Sequence, residues 1–247
     1  MVWGMSFPSR FGDYWPLGKN EGEGAERANN SWSHRLREHF VASTPEEQLR
    51  LYSHKDGSEA WNYPFHAMIK FQKEIGTKPS PDEPTLTPIE PHEPLQYFQT
   101  DKGYKNLGSM IALNAGLLAV DETLKGIIER LEPEVHQFFP VEIRMPRKRL
   151  YPKQYYILVI GRYLDSFSAD DSNKDAVRQW EGYDLFTHED TKKGVGGLAF
   201  RKSIFGEASI WRQKRFTSLL TCLSDELVSE VGKAGLRIPK HYQMKEV

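Results

Sequence analysis

The stretch Gly116–Ile143, GLLAVDETLKGIIERLEPEVHQFFPVEI, decides the reading of the fold. It opens on an apolar run and then offers Asp121, whose carboxylate can accept from the free amides of a first helical turn. Leu124, Ile127, Ile128 and Leu131 follow at i, i+3, i+4 and i+7, one apolar stripe on a helix. Pro133 stops that helix, and HQFFPVEI reads as a strand that Pro140 confines to an edge or a bulge. The cadence returns in Ser218–Val247, SLLTCLSDELVSEVGKAGLRIPKHYQMKEV. At an offset of 103 residues Ser224 replaces Asp121 as the cap, and Leu227, Val231 and Ala234 replace Leu124, Ile128 and Leu131. Gly235 then stands where a left-handed residue closes a helix. A weak internal repeat of strand–helix–strand units is therefore expected, built around one sheet.

Between the copies, Tyr155–Ile160 is β-branched and aromatic and predicts a buried central strand. GVGGLAFRKSIFG predicts another strand bounded by glycines, with Gly194–Gly197 as a turn or bulge. Residues 1–30 lack a period and predict an irregular arm. From Ser31 to Gly76 the pattern is helical: Thr44-Pro45-Glu46-Glu47 is a helix start, and Phe65, Met68, Ile69 and Gln72 share a face. Six prolines in residues 79–94 mark an extended connector. The expected class is α+β: a mixed or antiparallel sheet with packed helices in the C-terminal part, and a mainly helical N-terminal part. The expected division is residues 1–94, an N-terminal helical or irregular region, and residues 95–247, the α+β domain.

Composition excludes several functions. A net charge of −1 is unlike the strongly basic balance of a dedicated nucleic-acid binder. The single cysteine, Cys222, rules out a disulfide framework and a cysteine-rich metal site, and it sits in an apolar run where a thiol behaves as a small hydrophobe. No apolar run approaches the roughly 18 residues that span a bilayer, and MVWGMSFPSRFGDYW lacks the pattern of a secretory signal. A cytoplasmic protein without membrane contact is expected. No phosphate-binding loop, nucleophile elbow or zinc-protease helix is present, so neither cofactor nor metal is expected.

Two charged regions remain. The cation-rich run Arg144–Lys153, RMPRKRLYPK, offers Arg144, Arg147, Lys148 and Arg149 to phosphate or to an acidic partner, or else is a solvated hairpin. Acidic residues gather at Asp170, Asp171, Asp175, Glu181 and Asp184, with Trp180 and Tyr183 among them. That mixture suits a contact with a basic protein surface. An enzyme of unrecognised type would need His136, Glu142, Asp165 and His188 to converge.

Three blocks, GLLAVDETLKGIIERLEPEVHQFFPVEI, QYYILVIGRYLDS and IFGEASIWRQKRFTSLLTCLSDELVSEVGKAGL, resemble in order those of a bacterial immunity-protein family, the eleventh defined in polymorphic toxin systems and formerly a domain of unknown function. The resemblance covers about residues 95–247. It implies a non-enzymatic antitoxin that binds a cognate toxin, encoded by an adjacent gene and delivered between bacteria, often by type VI secretion. Many such toxins are predicted nucleases. If this one is, the acidic residues and Trp180 are the expected contact with its basic groove. The motifs carry the fold rather than chemistry, and they leave oligomeric state open.

Overall fold

The computed structural model describes residues 1–21, 31–46, 59–72, 88–180, 184–216 and 220–247. The strands of the first half are β1 Val2–Met5, β2 Gly18–Asn20, β3 Tyr97–Thr100, β4 Met110–Ala112, β5 Leu118–Asp121, β6 Gln137–Met145, β7 Arg149–Leu150 and β8 Tyr155–Val159. Those of the second are β9 Tyr163–Leu164, β10 Phe167–Ser168, β11 Val177–Gln179, β12 Phe186–His188, β13 Ala199–Phe200, β14 Ile210–Gln213, β15 Thr221–Ser224 and β16 His241–Glu246. The helices are α1 Ser31–Ser43, α2 Glu59–Gln72, α3 Glu122–Leu131, α4 Lys192–Gly196, α5 Lys202–Phe205 and α6 Asp225–Lys233.

The two units lie in two sheets rather than around one. The first runs β2-β3-β6-β8-β5-β4, with β7 beside β6; the second runs β10-β13-β16-β1-β15-β14-β9. Strand for strand, the first six positions match. β3 pairs parallel with β6 and β13 parallel with β16, and every other neighbouring pair among these positions is antiparallel. β8 follows β6 in sequence, but its counterpart in the second sheet is β1, from the other end of the chain. The second copy is thus circularly permuted.

Local chemistry repeats with it. Asp121 Oδ1 accepts from the Leu124 amide at 3.0 Å, and Ser224 Oγ accepts from the Leu227 amide at 3.1 Å. The Asp121 amide donates to Ser109 O and the Ser224 amide to Ser209 O, each at 2.8 Å. On the strand facing each cap, the Tyr156 hydroxyl donates to Glu122 and the Trp3 indole to Asp225, the first residue of either helix. Gly235, at φ +63°, closes α6 as expected.

Three apolar layers result. Leu124 and Ile128 of α3 meet Leu227 and Val231 of α6 in a central core, with Leu118, Val120 and Leu158 from one sheet and Met5, Ile210 and Leu223 from the other. Each such buried side chain is worth about 2 kcal/mol. The outer face of the first sheet is covered by Trp32 and Leu36 of α1 and Ala67 and Phe71 of α2. The outer face of the second is covered by Phe186, Val195, Leu198 and Phe205. Apart from Phe205 of α5, both covers come from equivalent connections, residues 21–96 between β2 and β3, and residues 169–198 between β10 and β13.

Several expectations are corrected. The class is α+β, but among the described residues the N-terminal part is not mainly helical. β1 lies inside the second sheet and β2 edges the first, while α3 to α6 all follow residue 121. The irregular arm expected over residues 1–30 fails for the same reason over residues 1–21, and residues 22–30 lie outside the described residues. Its β1 is only four residues long, and Gly4 has no side chain because a Cβ there would meet Val195 Cγ1 at 2.5 Å and Met244 Sδ at 2.7 Å. In α2 the buried face is Pro64, Ala67 and Phe71, and Phe65 is exposed. Ala234 is exposed and caps α6 instead of joining its stripe. Gly194–Gly196 end a short helix, begun when the Thr191 hydroxyl accepts from the Gly194 amide at 3.1 Å. Pro140 sits where β6 has β8 on one side only, since β3 joins from Glu142 onward. The helix expected from Thr44 lies, after Glu46, outside the described residues, as do residues 79–87 of the connector.

One carboxylate ties the halves together. Glu132, at the end of α3, is 4 % exposed. Its Oε2 accepts from the amides of Ser209 at 2.8 Å and Ile210 at 3.0 Å, where β14 begins. Arg162 donates to Oε1. The Gly161 amide donates to His136 Nδ1 at 3.1 Å, so the ring proton sits on Nε2, 3.1 Å from Glu132. Burial alone would raise the Glu132 pKa; the hydrogen bonds from His136, the Ile210 amide and Arg162 outweigh it and hold the group below its ordinary 4.5. Because the folded value is the lower one, this stabilisation is complete above pH 4.5 and is lost as pH falls through the depressed value. Glu132→Ala should cost about 3–5 kcal/mol in urea unfolding at pH 7, since it strands buried donors. Glu132→Gln should flatten the loss of stability below pH 4.5. Gly4→Val should cost about 1–3 kcal/mol by overpacking, whereas Gly12→Ala, with open space around it, should be neutral.

Candidate binding surfaces

The acidic region lies on the connection that covers the second sheet. β11 and β12 pair Val177 with His188, Arg178 with Thr187 and Gln179 with Phe186. Phe186 turns inward against Phe167 and Phe216, with ring centroids 5.0 and 6.4 Å away. Trp180, just past the end of β11, turns outward and is 55 % exposed, and its amide holds the ladder through Leu185 O at 2.8 Å. Asp184 sits across the same hairpin, while Glu181 and Tyr183 lie outside the described residues. Asp170 and Asp171 occupy the turn after β10, and Asp175 the turn before β11.

These acids do not make a bare anionic patch. The Arg215 guanidinium pairs with Asp184, stands 3.9 Å from Asp165 and lies 4.9 Å from the centroid of the Phe186 ring. Lys193 approaches Asp175 at 4.0 Å. Asp171 accepts from the Ser168 hydroxyl at 2.6 Å, and its carbonyl from Lys245 at 3.2 Å. Arg215 is a residue the sequence reading missed. It is 31 positions from Asp184, and only the β-sheet brings them together. Asp175, Asn173, Lys174, Ala176 and Lys193 line a shallow opening of about 280 Å³.

The basic run forms the β6–β7 hairpin. Arg144 pairs with Glu142 at 2.7 Å and lies over the Tyr97 ring, 3.7 Å from its centroid. Arg147, Lys148 and Arg149 are exposed at the tip, and Lys153 reaches back to Asp121 at 3.1 Å.

The residues proposed for chemistry are separated. His136 is consumed in the Glu132 network, Glu142 pairs with Arg144, and Asp165 faces Arg215. His188 packs edge-on to Phe216, with a pKa lowered by burial. Cys222 is buried beside Gln213, and burial pushes its thiol well above the ordinary range. A second polar cluster joins α1 and α2 to residues 88–96, again beyond the reach of local sequence signals. Glu93, 1 % exposed, accepts from Lys70 at 2.6 and 2.9 Å and from the Glu90 amide at 2.8 Å. Tyr63 stands 2.5 Å from His92 Nε2, and burial and Glu93 push its hydroxyl up to about 12. Arg35 pairs with Glu21 at 2.8 Å. The two buried carboxylates of this cluster, Glu21 and Glu93, each have a cation, which fixes the helices to the sheet. Among the described residues, no group of three or more His, Cys, Asp or Glu is placed to hold a metal ion, and no helix is long and apolar enough to cross a membrane.

A comparison with curated protein sequences returned no match. The model of a protein family does match, over residues 65–246, which takes in the second half of α2 and every strand of the two large sheets except β1 and β2. The match begins about thirty residues before the region whose motifs carried the resemblance, and so takes in part of the cover on the first sheet. By this match the chain belongs to the Immunity protein family (Imm11).

Proposed function

We propose that the protein protects a bacterial cell by binding a cognate toxin in a stoichiometric complex, with no chemistry of its own. Family membership is the observation that carries this reading. The toxin is the product of an adjacent gene, delivered by type VI or another polymorphic secretion route, and the complex forms in the cytoplasm. The contact we assign centres on the β11–β12 hairpin, with Trp180 as its anchor, and we assign Asp170, Asp171, Asp175, Glu181, Tyr183 and Asp184 to it as well. An exposed tryptophan at the end of a hairpin has the composition of an interface anchor. Pairing of Asp184 and Asp175 with Arg215 and Lys193 leaves the face of mixed sign. Trp180 therefore carries affinity, and the charges set orientation.

Expression of the neighbouring gene product, or its C-terminal domain, should arrest bacterial growth. Co-expression of this protein should restore growth, and the two should elute as one complex. A harmless neighbour, or rescue without a complex, would sink the reading. Trp180→Ala should weaken the complex about thirtyfold, the equivalent of about 2 kcal/mol, with unchanged thermal stability. Unaltered affinity in that variant would move the contact elsewhere.

A further inference from the structure

The β6–β7 hairpin is built against its own conformational preference. β6 and β7 pair Met145 with Arg149, so Pro146, Arg147 and Lys148 make the turn. Arg147 has φ +63° and Lys148 φ +57°. Both are in the left-handed region, where glycine, asparagine and aspartate are favoured and long side chains are not. The turn thus sets two long cationic side chains at the positions where glycine or asparagine would fold more easily. Folding gains nothing from them. Arg147, Lys148 and Arg149 are exposed, and no ion pair among the described residues engages any of the three.

The neighbourhood extends this charge. Arg149 Nη lies 3.3 Å from where a Cβ on Gly103 would stand, which brings the loop 101–107 alongside. That loop adds Lys102 and Lys105 against one acid, Asp101. Leu150, next to Arg149, is 58 % exposed. The rings here are not available for base stacking: Tyr104 and Tyr151 are buried, and Arg144 covers Tyr97. A cationic rim beside an exposed leucine, without a stacking platform, has the chemistry of a protein interface.

We infer that the hairpin, Arg147, Lys148, Arg149 and Leu150 with Lys102, is a second docking surface, and that it receives an acidic face of the partner protein. This rests on the toxin-binding reading, under which that partner is the toxin. Exposed, uncompensated cations on a fixed turn steer encounter, so their effect belongs mainly to the association rate and its salt dependence.

The test measures association of the purified chain with the toxin domain by stopped flow or surface plasmon resonance across a range of salt. R147E/K148E should slow association at least tenfold at low salt and flatten its salt dependence, with dissociation little changed. R147N/K148G separates the role from folding. It relieves both left-handed side chains, so it should raise the thermal midpoint while still slowing association. Wild-type rates and salt dependence in R147E/K148E, with the wild-type complex intact, would overturn the inference and leave the toxin-binding reading standing. Absence of any wild-type complex would overturn both. Should the wild-type chain retain a duplex or single-stranded oligonucleotide at physiological salt, and R147E/K148E release it, the surface belongs to nucleic acid and the inference falls.

Discussion

The structure depends on a buried carboxylate that belongs to one half and serves the other. Glu132 ends α3, yet two of its partners are the amides that open β14, across the central core. Helix and strand could slide past one another on apolar contacts alone, because hydrophobic packing has no direction. Hydrogen bonds to an ionised group do have direction, and leaving them unmade in a buried site is costly. Glu132 fixes the register between the two sheets, His136 and Arg162 keep it charged, and α3 and α6 are held face to face. Outside the core, Arg130 adds a bond to Glu230 at 2.5 Å between the same two helices.

The duplicated plan explains where the two surfaces arise. Each sheet has an inner face, which the paired helices fill, and an outer face that needs a cover. The chain supplies that cover from the same connection in each copy. In one copy it is α1 and α2, fixed by Glu93–Lys70 and Glu21–Arg35. In the other it is the β11–β12 hairpin with α4, which leaves Trp180 outside. The covers differ while the sheets agree, so the scaffold is separable from what is displayed on it. The cationic turn extends from β6.

The sequence made the repeat legible because its signals are local. A capping side chain and an apolar stripe act within a dozen residues, and both recur at one offset. The permutation was illegible for the opposite reason. β1 is four residues with a glycine inside, and only its two neighbours, β15 and β16, more than two hundred positions away, make it a strand. The same limit applies to α4, whose glycines argue against a helix until the Thr191 cap is seen. At the surfaces, residue types were readable but pairing was not. Asp184 and Asp175 were visible as acids, and their neutralisation by Arg215 and Lys193 depended on tertiary placement. The left-handed Arg147 and Lys148 likewise had no signature, since nothing local asks for a positive φ there.

A binder and an enzyme differ in how their effect scales with amount. Activity of a fixed quantity of toxin, measured while this protein is added in increments, tests that difference most directly. A stoichiometric antitoxin predicts a linear fall that reaches zero near equimolar protein, with activity recovered when the complex is dissociated. Complete, lasting inactivation at a small fraction of one equivalent would mean turnover, and would contradict the account.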